Sequence, residues 1–430
     1  FAADPDSSYI LALLQIPSNL DRIIPFPDEN ISLDSSASAP KYFTVLDDVI
    51  ASCSTGLFPG YRVTQSMLFK LERDADMAVD EDATSNYIQE MEKVLEKRES
   101  SNIIMMICTT SSPKLLQIIQ EKLSLADEDV YPVNSFVDPS IFVQLKTLYG
   151  SKELCYPKWQ HFYPCDLPEE DTYWNTLRQH DILLNVPYQS YEPVVKFIED
   201  ACADESVLAI KMTLYRTGSS SPIVKALEKA ARAGKSVTVF VELKARFDEQ
   251  RNISWAEQLE KAGAIVIYGV VKLKVHAKIC LVVRCESDGL RRYVHLSTGN
   301  YNPATAASYQ DFSIFSCRHE ISTDASLFFN VISGYSALQP MHHLYMAPVT
   351  LKSRLFELID REIQQSSPDS PGLIIAKMNS LCHKEVIEKL YQASCAGVKI
   401  MLNVRGICTL LPGLEGLSKN ISVVSVVDRY

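Results

Sequence analysis

One strand–helix–strand unit occurs twice in this chain, and that repetition constrains the fold more than any other feature. Leu208-Ala209-Ile210-Lys211-Met212 is mirrored by Ile374-Ile375-Ala376-Lys377-Met378. The helical stretch closing on Arg232-Ala233-Gly234 is mirrored by one closing on Cys395-Ala396-Gly397, and Ser236 to Val241 by Lys399 to Val404. Apolar runs alternating with amphipathic helices predict an α/β fold with much parallel pairing. A repeat this long is not a solenoid; it predicts two like domains facing each other, with a site in the cleft between them. Within the first copy, strands are expected at 207–214, 237–243, 265–268, 275–283 and 293–297, with helices over 222–233 and 253–262. In the second, Ile421 to Val427 reads as one more strand.

The part before the repeats is mixed. Residues 35–40 read as a loop, 42–53 as a helix, 61–70 and 103–108 as strands, and 80–98 and 113–123 as helices, which together predict an α+β domain. An aromatic and proline-rich stretch from Trp159 to Pro168 reads as a linker. The expected domains are therefore 1–162, 163–343 and 344–430. The chain starts on Phe1 rather than Met and stops just after a strand, so both ends are expected to be truncations.

Charge is unevenly spread. The chain carries −11 overall, yet Lys211 to Asn300 holds sixteen Lys and Arg against eight Asp and Glu, which leaves −19 for the rest. An acidic protein with one basic segment has a localised anion site and is not a general nucleic-acid binder. No apolar run approaches the roughly 20 residues that span a bilayer. The 11 cysteines follow no metal-ligand spacing. Cys53, Cys108, Cys280 and Cys395 lie among apolar neighbours and are expected to be reduced core residues of a cytoplasmic protein.

Ala233-Gly234-Lys235-Ser236 ends like a phosphate-binding P-loop, but it closes a helix and opens a strand, and Lys229 stands where that loop needs glycine. Gly234 is expected to be a helix C-terminal cap. The chemistry points instead to Lys274-Val275-His276-Ala277-Lys278. On a strand, His276 and Lys278 share a face. A fixed cation beside an imidazole disfavours its protonation and leaves it neutral and nucleophilic, while the ammonium can hold a phosphate oxygen. Ser297-Thr298-Gly299-Asn300-Tyr301-Asn302 is a small-residue turn able to aim N–H groups and the Asn300 amide at an anion. Arg216 and Arg246 follow the ends of successive strands, where open α/β sheets place ligands, and Arg405 follows the matching strand of the second copy. His295 shares a strand face with Tyr293 and Ser297 and reads as a core histidine; His342-His343 reads as a loop.

A His-x-Lys pair followed by a Gly-x-Asn-type turn, on paired α/β repeats, resembles the phospholipase D superfamily. That superfamily's phosphodiesterases carry an aspartate five residues after the lysine, where this chain has Val283. Longer strings are more specific. Thr213-Leu214-Tyr215-Arg216, Val241-Glu242-Leu243-Lys244-Ala245-Arg246-Phe247-Asp248-Glu249, Lys274 to Lys278, Arg292 to Asn302 and Asn403-Val404-Arg405-Gly406-Ile407-Cys408 resemble long-type polyphosphate kinases. Leu57-Phe58-Pro59-Gly60-Tyr61 and Arg73-Asp74-Ala75-Asp76 extend the likeness over nearly the whole chain. The resemblance implies two phospholipase D-like catalytic repeats, the second incomplete, and reversible transfer of the ATP γ-phosphate to polyphosphate through a phosphohistidine.

By position, the resemblance makes His276 the autophosphorylated residue, places Arg216 and Arg246 at the magnesium and phosphate site, and makes Tyr309 and Arg405 ATP-binding. Arginine has no lone pair for a cation, so contact with Mg2+ is expected through phosphate oxygens. The resemblance also implies a homo-oligomer that can associate with a membrane peripherally. It puts an ATP-contacting asparagine in an N-terminal domain absent here and a second functional histidine directly after Tyr430, so this fragment alone is expected to be inactive. The rival expectations are a phospholipase D-type phosphodiesterase and a non-catalytic polyphosphate-binding scaffold.

Overall fold

The computed structural model describes residues 2–3, 10–26, 42–74, 101–110, 112–149, 155–157, 159–167, 172–218, 221–242, 249–269, 273–334 and 340–426. The chain divides into two compact units, Phe1–Trp159 and Gln160–Tyr430. In the first, Ile103–Thr109 is the central strand of three, antiparallel to Phe69–Arg73 and parallel to Val130–Val133. The helix Pro113–Leu123 makes the crossover; Ser112 accepts from the Leu115 N–H (3.3 Å) and Pro113 opens the first turn. Two readings move here. Residues 42–53 split into a strand, Phe43–Val45, and a helix, Leu46–Ser52, and the strand expected at 61–70 runs over Phe69–Arg73. The expected helix at 80–98 and loop at 35–40 lie outside the described residues.

The second unit holds the repeats. Its first part comprises α1 (Tyr173–Gln179), β1 (Ile182–Val186), α2 (Glu192–Ala203), β2 (Val207–Leu214), α3 (Pro222–Arg232), β3 (Ser236–Val241), α4 (Glu249–Lys261), β4 (Ile265–Tyr268), β5 (Lys278–Glu286), β6 (Gly289–Ser297), β7 (Asp311–Ser316) and α5 (His319–Ile332). The seven strands form one sheet in the order β4-β3-β2-β5-β6-β7-β1. β4, β3 and β2 pair in parallel, as the alternation with helices requires. From β5 onward every pairing is antiparallel, so the sheet is mixed.

The crossover helix α3 shows how sequence sets an element. The Ser221 side chain accepts from the Val224 N–H and Pro222 fixes the first turn. Ile223, Val224, Leu227, Ala230 and Ala231 fall on one buried face at helical spacing. Gly234, at φ +86°, ends the helix: its N–H reaches the Ala231 carbonyl and the Lys235 N–H reaches that of Ala230. Gly397 ends the equivalent helix with the same pair of bonds, Gly397 N–H to Ser394 and Val398 N–H to Ala393.

Two cores flank the sheet. Ile279, Leu281, Val294 and Phe240 face α5 through Ala325 and Phe329. On the other face Tyr293, His295 and Phe315 pack with Tyr173, Trp174 and Phe197 of α1 and α2, the ring centroids 4.6–5.9 Å apart. At about 1.5–3 kcal/mol per buried large side chain, these layers fix the sheet on which the site is mounted.

In the second copy, α6 (Leu351–Gln365), β8 (Leu373–Met378), α7 (Lys384–Cys395), β9 (Lys399–Val404) and β10 (Ile421–Val424) give a parallel three-stranded sheet in the order β8-β9-β10. Ile400, Leu402 and Val404 alternate into a core with Ile387, Leu390 and Ala393 of α7 and Ile359 of α6. The ladders correct the mirrored strings. Leu214 pairs with Val241 in the first copy and Met378 with Val404 in the second, so Met378 corresponds to Leu214, two residues beyond Met212. Among the cysteines, Cys108 and Cys280 are buried as expected, whereas Cys53 and Cys395 are exposed; all 11 are free thiols. Among the described residues no helix is long and apolar enough to cross a membrane.

Candidate active site

The pairings bring the carboxyl ends of β1, β2, β3, β4 and β6 to the same edge of the sheet as the starts of β5 and β7. Tyr215-Arg216, Glu242, His276, Lys278, the 297–302 turn and Asp311 all lie along that edge, where α/β sheets present ligand sites.

β5 begins at Lys278, so His276 stands in the extended segment just before the strand, a shift from the expected 275–283. The shared face does not depend on it: Lys278 Nζ lies 3.0 Å from His276 Nε2 and donates to the His276 carbonyl at 2.7 Å. Ammonium has no lone pair, so Nε2 must be the acceptor and the ring proton sits on Nδ1. His276 is exposed, yet its pKa is pushed down to about 4, first by loss of hydration and then by Lys278, Lys274 and Arg216. The three positive charges act on the ring whatever its hydration. The Lys278 pKa is lowered to about 8, first by burial, with the Asp311 carboxylate opposing and Lys274 and Arg216 adding to the fall.

Neighbouring strands hold this segment in place. Thr213 on β2 donates its hydroxyl to the Ala277 carbonyl (2.7 Å) and accepts from the Ile279 N–H (3.1 Å). Glu242, buried at the end of β3, accepts from the Val275 N–H at 2.8 Å. Tyr215, buried after β2, meets the His276 ring edge-on with centroids 4.9 Å apart. Arg216 follows at φ +55°, a conformation that costs a non-glycine residue about 1–2 kcal/mol. Its carbonyl is held by the Asn302 side chain at 3.0 Å.

Asn302 therefore does structural work in the turn: besides Arg216, its side chain caps the helix Pro303–Ala306 by accepting from the Ala304 and Thr305 N–H groups. The Asn300 carbonyl accepts from the Asn302 N–H at 2.8 Å, and the residue is half-buried beside the end of β6. Asp311 locks the turn to β7. Thr298 donates to its carboxylate (2.8 Å), and a Cβ on Gly299 would come within 2.6 Å of it, so only glycine fits.

Tyr309 and Arg405, on the two repeats, meet: the guanidinium lies 5.0 Å from the ring centroid. Beside them Lys377 donates to Gln310 at 2.7 Å. The sequence-predicted residues thus form two groups, His276, Lys278 and Arg216 in one and Tyr309 with Arg405 in the other, with Asn300 in the turn at the same sheet edge. Arg246 lies outside the described residues. Thr213, Glu242 and Asp311 were missed as site residues. Glu242 had a signal, a lone acid at the end of an apolar strand; Asp311 had none.

His295 is a core residue. It is fully buried, bonded through Nδ1 to the Tyr301 hydroxyl (2.8 Å), and burial holds its pKa down to about 3. His342 and His343 sit in a loop whose N–H groups are gathered by the Asp324 carboxylate. Among the described residues no group of three or more His, Cys, Asp or Glu could hold a metal ion. The cluster around His276 is cationic and offers Mg2+ no oxygen cage.

Residues 3–145, 172–338 and 344–430 match family models described as the polyphosphate kinase middle domain, C-terminal domain 1 and C-terminal domain 2. The chain is 43% identical to a polyphosphate kinase of Bacillus cereus, over 100% of this chain and 60% of that protein. It is 40% identical to one of Rhodopirellula baltica, over 99% of this chain and 51% of that protein. The crystal structure of polyphosphate kinase from Porphyromonas gingivalis matches with a TM-score of 0.78 at 30% identity, over 96% of this chain and 59% of that one. The chain thus spans three-fifths or less of the length of these relatives. With all three family models in order along its length, this chain belongs to the polyphosphate kinase family.

Proposed function

We propose that the protein carrying this chain is an ATP:polyphosphate phosphotransferase that works through a phosphohistidine on His276. The observation that supports it most is the 3.0 Å contact between Lys278 Nζ and His276 Nε2 inside a cationic cluster. The ammonium holds the proton on Nδ1 and reserves the Nε2 lone pair. A γ-phosphate arriving at Lys278 takes over that donor and frees the lone pair. Nε2 then attacks phosphorus, the bond from phosphorus to the β–γ bridging oxygen breaks, and ADP departs with the electron pair. In the second half, a terminal oxygen of polyphosphate attacks the same phosphorus and the P–N bond breaks, restoring the neutral imidazole.

Lys278 and Arg216, with Arg246 as expected from its position, stabilise charge on the equatorial oxygens; losing one such group costs on the order of 10²–10³ in rate. Asn300 would present its amide to the same oxygens. Tyr309 and Arg405 would hold the nucleotide between the repeats. Magnesium would be bound by the nucleotide's own phosphate oxygens and supply charge neutralisation there. A phosphodiesterase of the phospholipase D type is the weaker reading, because Val283 packs on β5 where that chemistry keeps an aspartate.

The test is His276→Ala in the full-length protein. Acid-labile, alkali-stable label from γ-labelled ATP should disappear along with polyphosphate synthesis. Label at the parent's level in that variant would sink the assignment.

A further inference from the structure

Three cations crowd beside His276, and like charges this close repel. Arg216 Cζ, Lys274 Nζ and Lys278 Nζ lie 5.4, 5.5 and 5.1 Å from one point, the centroid of the Tyr215 ring. Each is within the roughly 6 Å over which an aromatic face attracts a cation. Tyr215 is 7% exposed and Lys278 is buried with it, while Arg216 is half-buried and Lys274 exposed. The fourth neighbour is His276 itself, at 4.9 Å and 80° between planes.

Carboxylates face this group as well. Asp311 on β7 acts on Lys278. The Glu242 side chain, at the end of β3, receives the Val275 N–H. Among the described residues, Tyr215 is the ring that all three cations and the imidazole share.

We propose that Tyr215 is a positioning residue for phosphoryl transfer, its π-face gathering Arg216, Lys274 and Lys278 into one phosphate-binding cluster beside His276. This rests on the phosphohistidine reading and deepens it. The hydroxyl has no part in the role; the negative face of the ring does. A side chain of equal volume without that face leaves the cations free to swing into solvent. They then grip phosphate less well and hold the imidazole neutral less strongly.

The experiment is rapid-quench labelling of the full-length protein by γ-labelled ATP across pH, in Tyr215→Phe, Tyr215→Leu and variants with mono-, di- and trifluorinated phenylalanine at position 215. Fluorine drains the ring face with little change of shape, which separates charge from packing. Tyr215→Phe should label within about threefold of the parent, and Tyr215→Leu at least about tenfold more slowly. The acid limb of the pH profile should move upward in Tyr215→Leu, and the labelling rate should fall stepwise along the fluorine series. A flat fluorine series, or Tyr215→Phe failing as badly as Tyr215→Leu, overturns the inference. No label in the parent overturns the phosphohistidine reading and this inference with it; label in the parent with a flat series removes this inference alone. Should Tyr215→Leu fail to fold, the fluorine series still decides.

Discussion

Thr213→Val exchanges a hydroxyl for a methyl group at nearly constant volume, in the place where the fold hands over to the chemistry. The ladder between β2 and β5 starts at the pair Met212 and Cys280. Toward His276 the Thr213 hydroxyl extends it, binding the Ala277 carbonyl at 2.7 Å and the Ile279 N–H at 3.1 Å. Ile279 is 2% exposed, so valine leaves its N–H without water, at a cost of about 1–3 kcal/mol. Ala277 is exposed, and its carbonyl rehydrates with little loss. The expected destabilisation is about 2 kcal/mol, a fall in Tm of roughly 4–8 °C for a unit of this size.

The activity effect should be larger than that figure suggests. The two lost bonds flank Lys278, at Ala277 and Ile279, and the first of them is next to His276; a misplacement near 1 Å can cost about 10²-fold in rate. Thermal unfolding followed by circular dichroism, with rapid-quench labelling from γ-labelled ATP, reads both effects. Thr213→Ser keeps the hydroxyl and should label normally, losing about 0.8 kcal/mol for the missing methyl. A valine variant within about 0.5 kcal/mol of the parent and labelling at the parent's rate would refute the claim that this hydroxyl positions the segment.

Two more outcomes are expected. Gly299→Ala places a Cβ 2.6 Å from the Asp311 carboxylate and 2.9 Å from its Cβ, which no side-chain rotation relieves. The turn or β7 must shift, at about 1–3 kcal/mol by denaturant unfolding, and an alanine variant as stable as the parent would show room where the geometry has none. For pH, transfer needs neutral His276 and charged Lys278. Burial first, then the neighbouring cations, lowers His276 to about 4, and burial lowers Lys278 to about 8. Labelling with an alkaline quench should therefore lose its nucleophile as pH falls through about 4 and its ammonium as pH rises through about 8. Lys278→Arg should lift the alkaline limb and leave the acid one; an alkaline limb that stays near 8 in that variant would assign it to another group.

What local sequence determined is visible in particular elements. The i, i+2 spacing of His276 and Lys278 makes them neighbours in any extended chain, so their contact survived the three-residue shift in where β5 begins. Ser221, Pro222 and Gly234 bound α3 by local backbone chemistry, and the matching Gly397 marked the second copy. Tertiary structure decided what the periodicities do not encode. The strong β-α-β alternation said nothing of β5 entering antiparallel beside β2, because strand order depends on loop closure and on which faces pack against α1, α2 and α5. The same insertion brings Thr213 and Glu242 against the backbone around His276, across sequence separations of about 30 to 65 residues, and sets Asp311 opposite Lys278. It also decided that Arg405 meets Tyr309, since a contact between two repeats follows from how their sheets sit together and leaves no trace in either segment's own pattern.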